Sequence, residues 1–120
     1  MLCISGGKIK MSAKPPFKKN DLSRKKAYWI SIYNEVLDSD KLAAYAALAG
    51  PALTAAGGRI LARGMPSSLH ENGQMQRTVL IEFDSVEAAN AAYKSAGYAQ
   101  ALAALDGGVV REVRIIEATD

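Results

Sequence analysis

The sequence predicts a single α+β domain in the order β-α-β-β-α-β, with four strands in one antiparallel sheet. Three observations carry that reading. Aromatic and β-branched segments stand at residues 27–33, 58–64, 75–83 and 109–118. Alanine-rich stretches with apolar residues at helical spacing separate the first strand from the second and the third from the fourth. The second and third strands are joined instead by a polar loop, MPSSLHENGQ, which carries Pro66 and an Asn72-Gly73 turn signal.

Along the chain, order begins with AYWISIY at residues 27–33. Asp38 or Ser39 caps a first helix, in which Leu42, Tyr45, Ala49, Leu53 and Ala56 recur at helical spacing. Pro51 falls inside that pattern and demands either a kink or a restart with the proline in a first turn. Gly57-Gly58 ends the helix, and GRILARG and MQRTVLIEF supply the middle strands. Asp84-x-x-Glu87 has capping-box spacing ahead of the second helical stretch, which Gly97 interrupts before YAQALAAL continues it. The turn DGG at 106–108 leads into the last strand, VVREVRIIEA. This order is the split βαβ, or ferredoxin-like, arrangement, with spatial strand order four-one-three-two and the helices on one face.

The net charge of +3 is unevenly spread. Residues 1–26 hold eight Lys/Arg against the single acid Asp21, whereas residues 27–120 hold seven against eleven Asp/Glu. We therefore read residues 1–26 as a basic flexible extension and residues 27–120 as the folded domain. Cys3 is the one cysteine, which excludes a disulfide framework and a thiolate metal cluster within one chain and fits a reducing, cytoplasmic setting. No apolar run approaches a membrane span, and the N-terminus lacks the apolar core of a secretory signal.

Alternation along the strands sorts side chains onto two faces. One set, Ile30, Ile32, Ile60, Ala62, Val79, Ile81, Phe83, Val113 and Ile115, is expected beneath the helices. The other holds Trp29, Ser31, Tyr33, Arg59, Leu61, Arg63, Gln76, Thr78, Leu80, Glu82, Val110, Glu112, Arg114 and Ile116. That second face is too apolar to be left in water and too charged for a dry core, so a second copy of the same face is its expected cover.

The segments AAYAALAGPALTAAGGRILARG, RTVLIEFDSVEAANAAYKSAGYAQ and VREVRIIE resemble a small bacterial family catalogued as domain of unknown function thirteen-thirty, over about residues 27–118. The resemblance implies membership of the dimeric α+β barrel superfamily and a homodimer with facing sheets, and it implies no established reaction.

Candidate site residues follow from the open-face set. Trp29, Arg59, Glu82 and Arg114 are expected at one end of it, and Tyr33, Arg63, Gln76 or Thr78, and Glu112 at the other. Arginine would hold a carboxylate of a small anionic or aromatic metabolite, an aromatic ring would stack on it, and Glu82 is the candidate catalytic proton carrier. The competing reading is that Arg59 and Glu82 pair across strands in a non-enzymatic homodimer whose charged face serves only dimerisation. Tyr93 and Tyr98 are expected first as anchors of the second helix. His70, the sole histidine, lies in a polar loop without metal-ligand spacing around it, so neither metal nor other cofactor is expected. The third strand, RTVLIEF, lacks the stacking aromatics of an RNA-recognition sheet, so specific nucleic-acid binding is disfavoured.

Overall fold

The computed structural model describes residues 25–120, so the expectation for the basic extension falls, except for Lys25 and Lys26, outside the described residues. The elements are β1 (Ala27–Val36), α1 (Ser39–Ala55), β2 (Arg59–Gly64), β3 (Thr78–Phe83), α2 (Val86–Tyr93), α3 (Ala96–Leu105) and β4 (Val109–Glu117). The strands lie in the order β2-β3-β1-β4 with every pairing antiparallel, which is the four-one-three-two order of the ferredoxin-like fold.

Local chemistry sets the boundaries. Asp38 caps α1, its carboxylate accepting from the backbone N–H groups of Asp40 and Lys41 at 3.0 and 3.2 Å. Pro51 is accommodated within α1, which runs on to Ala55. Gly57 then takes φ +98, and a Cβ on Gly58 would meet Phe83 Cζ at 2.8 Å and the Leu53 carbonyl at 2.9 Å. The first glycine thus reverses the chain and the second lets the turn press against the sheet. The cap of α2 is Ser85, one residue later than the capping-box spacing suggested; its Oγ accepts from the Ala88 N–H at 3.0 Å. Asp84 is thereby released to pair with Lys26 and Arg59. Ser95 caps α3 and accepts from the Tyr98 N–H, so Ser95, rather than Gly97, divides the second helical stretch.

The helix-covered face of β1 is the reverse of the one expected. Ala27, Trp29, Ser31 and Tyr33 are buried toward the helices, while Tyr28, Ile30 and Ile32 are half-buried on the open side. Trp29 is 0% exposed, with its ring centroid 5.3 Å from Tyr98, 5.6 Å from Tyr93 and 6.1 Å from Phe83. Its indole N–H donates to Ser31 Oγ at 2.8 Å, which satisfies both buried polar groups. On that side the rings of Phe83, Tyr93 and Tyr98 enclose the indole, which the uncovered face of the same chain does not do.

A second reversal comes from β2. Arg59 lies opposite Glu82 and Ile60 opposite Ile81, but Ala62 lies opposite Leu80 and Arg63 opposite Val79. The register shifts by one at Leu61, a bulge that turns the rest of the strand over. Arg59 therefore stays on the open face, Arg63 moves to the helix side with Val79, and Ala62 leaves the core set for the open face. The remaining assignments of β3 and β4 stand: Val79, Ile81, Phe83, Val113 and Ile115 pack toward the helices.

Candidate functional site

The six residues proposed from sequence fall into three groups. Arg59 and Glu82 meet as a pair on the open face, Nε donating to the carboxylate at 2.9 Å. Arg59 also donates to Asp84 at 3.0 Å, and Tyr28 donates to the second Glu82 oxygen at 3.3 Å. The Arg59 bond holds the Glu82 carboxyl below its ordinary range, and Lys26 followed by Arg59 does the same for Asp84. Arg114 is not part of that cluster. It turns instead to Glu112 on its own strand, at 2.7 Å. Trp29, Tyr33 and Arg63 stand on the opposite side of the sheet, against the helices.

That opposite side holds a cavity of about 500 Å³ between α1 and the sheet, open to solvent where Ala43, Ala46, Ala47, Ile60 and Arg63 are exposed. Its origin is compositional. α1 packs chiefly against α3 and only lightly on the sheet, and the residues it turns to the space include Ala43, Ala46, Ala47, Ala49 and Gly50. Small side chains on a helix held off by its neighbour leave a volume unfilled, and this one falls within the range typical of small-molecule sites. Leu42, Leu53, Ile60, Val79 and Ile81 give it apolar walls, and Trp29 and Ser31 close part of the sheet side.

The polar groups gather around Tyr33. Arg63 and Arg77 both line the cavity with it, the Arg77 guanidinium lying 5.9 Å from the Tyr33 ring centroid. Arg111 lies 5.5 Å from the same centroid and 4.9 Å from that of Tyr45. It donates from Nη1 to the Tyr33 and Tyr45 hydroxyls at 3.2 and 3.0 Å, and from Nη2 to the Tyr98 hydroxyl at 2.9 Å. The Tyr45 and Tyr98 hydroxyls are themselves 2.7 Å apart and tie α1 to α3. Burial pushes Tyr45 well above the ordinary phenol range, with Tyr98 adding to the effect and Arg111 offsetting only part of it. Tyr33 is raised too, by burial first and Tyr45 second. Both therefore remain neutral phenols at neutral pH.

Charge balance separates the two sides of the sheet. Arg59 and Arg114 have carboxylate partners, whereas among the described residues no acid pairs with Arg63, Arg77 or Arg111. The buried Arg77 Nε has no hydrogen-bond partner at all among them. Among the described residues no cluster of His, Cys, Asp and Glu could hold a metal ion, and no helix is long and apolar enough to cross a membrane.

Arg77 and Arg111 were missed by the sequence reading, although a signal was present. Arg77 shares strand parity with Val79, Ile81 and Phe83, and Arg111 with Val109, Val113 and Ile115. A charged residue at the start of an otherwise apolar, inward-facing row is unusual, because burying its charge must be compensated. Here the phenol oxygens compensate Arg111.

The fold is shared with proteins of low sequence similarity. The RPA0582 protein of unknown function from Rhodopseudomonas palustris superposes with a TM-score of 0.64 at 14% identity, over 81% of this chain and 85% of that one. SnoaB, a cofactor-independent oxygenase from Streptomyces nogalater, superposes with a TM-score of 0.58 at 11% identity, over 80% of this chain and 95% of that one. No curated protein matches the sequence. Residues 26–119, which span the whole sheet and all three helices around the cavity, match the family described as Domain of unknown function (DUF1330), and the chain belongs to that family.

Proposed function

We propose that the protein binds a small, largely apolar organic acid in the cavity between α1 and the sheet, with Arg63 and Arg77 taking the carboxylate. The observation that carries this reading is the unpartnered Arg77 Nε at an apolar cavity whose lining includes two arginines and no acid. Arg77 is half-buried and Arg63 exposed, but a buried Nε without an acceptor is costly, and a bound carboxylate would supply the missing charge-assisted hydrogen bond. Trp29 and Tyr33 belong to this site as aromatic walls. The Arg59–Glu82 pair, with both partners already engaged, does not contribute to it. The fold likeness to an oxygenase at 11% identity leaves the reaction, if any, to be read from the ligand.

Calorimetric titration with cinnamate and its neutral analogue cinnamamide tests the reading. Cinnamate is expected to bind at least about tenfold more tightly than the amide, and Arg77→Met to remove most of that preference. Equal affinities, or a preference untouched by Arg77→Met, would reject the assignment.

A second copy of the chain is the proposed partner of the open sheet face. Ile116 and Val110 are 57% and 46% exposed there, beside half-buried Tyr28, Ile30, Ile32 and Leu80. The same face carries both signs, in Arg59 with Glu82 and Arg114 with Glu112, so it can complement itself about a two-fold axis. Light scattering at micromolar concentration is expected to give twice the chain mass. A monomer under those conditions would leave this face without its proposed cover.

A further inference from the structure

The hydroxyl groups of the cavity have a direction. Tyr33 accepts from Arg111, and among the described residues nothing accepts from the Tyr33 hydroxyl. Tyr45 and Tyr98 also both accept from Arg111, and the single contact between them uses one of their two hydroxyl protons. Tyr45 lines the cavity, so when Tyr98 donates to Tyr45 the Tyr45 O–H is left for whatever occupies the space. Ser31 Oγ is already taken as an acceptor by the Trp29 indole N–H. Besides the Trp29 indole N–H, already given to Ser31, the side-chain polar groups lining the cavity are therefore the hydroxyls of Ser31, Tyr33 and Tyr45 with the guanidiniums of Arg63 and Arg77: a set with hydrogens to give and no ionised acceptor.

From this arrangement we infer that the ligand carries, besides its carboxylate, a second oxygen held by the Tyr33 and Tyr45 hydroxyls, and that the site binds this oxygen preferentially as its anion. The inference rests on the acid-binding reading and narrows it to hydroxyaryl or enolisable acids. A carboxylate alone would occupy the two arginines and leave the phenol protons without acceptors. Arg111 stands directly behind those phenols, orienting them through their oxygens and placing a positive charge beyond them. A phenol or enol bound there gives up its O–H proton to solvent, and the oxyanion that remains accepts from Tyr33 and Tyr45. This is how preorganised donors stabilise a developing charge. Since burial raises the phenol pKa of both tyrosines, they remain donors under the conditions in which the ligand ionises.

Absorbance titration with p-coumarate, which is cinnamate bearing a phenol at its far end, provides the test because its phenolate absorbs at longer wavelength than its phenol. Bound to the protein, the p-coumarate phenol is expected to ionise at least about one pH unit lower than in free solution. Tyr45→Phe and Tyr33→Phe, which keep the rings and remove the donors, are each expected to reduce that shift. Binding of p-coumarate with its phenol pKa unmoved, or with a shift that survives both substitutions, would overturn the inference while leaving acid binding intact. Failure of cinnamate itself to bind would overturn both.

Discussion

Arg111→Met is expected to cost about 3 kcal/mol of stability, because one substitution removes the charged donor shared by three buried phenol oxygens. For a domain of this length that corresponds to a fall in melting temperature of roughly 12–24 °C, measurable by circular dichroism. Arg111→Lys is expected to recover only part of it, since an ammonium cannot reach three oxygens in one plane. The same hub predicts a loss of stability in alkali. Tyr45 has its pKa raised in the fold, so its contribution is complete below the ordinary tyrosine value of 10.0. As pH rises past that value the unfolded chain releases the proton and the folded one retains it, and stability falls by about 1.4 kcal/mol per pH unit for that group. A Tyr45→Phe protein should show a shallower decline. A melting temperature nearly unchanged in Arg111→Met would show that the tyrosines hold their places by packing alone.

Trp29→Ala is expected to be of similar or greater consequence, about 3–5 kcal/mol, because the indole is fully enclosed by Phe83, Tyr93 and Tyr98. Truncation also strips Ser31 Oγ of its donor. Trp29→Phe keeps most of the ring contacts and should cost clearly less. The contrast with an open-face position is direct: a tryptophan lying on an uncovered sheet would lose little on truncation. Denaturant unfolding of the two variants distinguishes these placements, and a loss below about 1 kcal/mol for Trp29→Ala would contradict the enclosed position.

The sequence disclosed the order of elements, the strand arrangement and the two-faced character of the sheet, while the assignment of particular side chains to faces was only partly legible. In β1 the run Trp29-Ile30-Ser31-Ile32-Tyr33 has apolar residues at both parities, so alternation does not say which parity lies under the helices. Only the three-dimensional neighbourhood of the indole decides it. In β2 the spacing of Arg59 and Arg63 implies a shared face for a regular strand, and the bulge at Leu61 cancels that implication. Nothing in GRILARG marks a bulge, since its glycines lie at the ends. The Arg59–Glu82 contact, by contrast, was readable from strand order and direction, because the start of β2 must meet the end of β3. Arg77 and Arg111 were readable in principle from parity with their apolar neighbours, yet what keeps Arg111 there is a cluster of tyrosine oxygens from α1, α3 and β1 that no local pattern brings together.

The close seating of α1 on α3 has a bearing on how the molecule can change over time. The α1–α3 seam is held by the Tyr45–Tyr98 contact and by the close fit of Gly97 to Ala52, where an added Cβ would lie 3.3 Å from the Ala52 Cβ. The residues that set the free volume, Ala43, Ala46 and Ala47 among them, lie on the same helix but outside those two contacts. Enlarging one of these alanines reshapes the chamber and spares the joint that fixes the helix. Capacity and architecture are consequently governed by separate letters of one short segment, so single substitutions can alter the free volume without disturbing the scaffold.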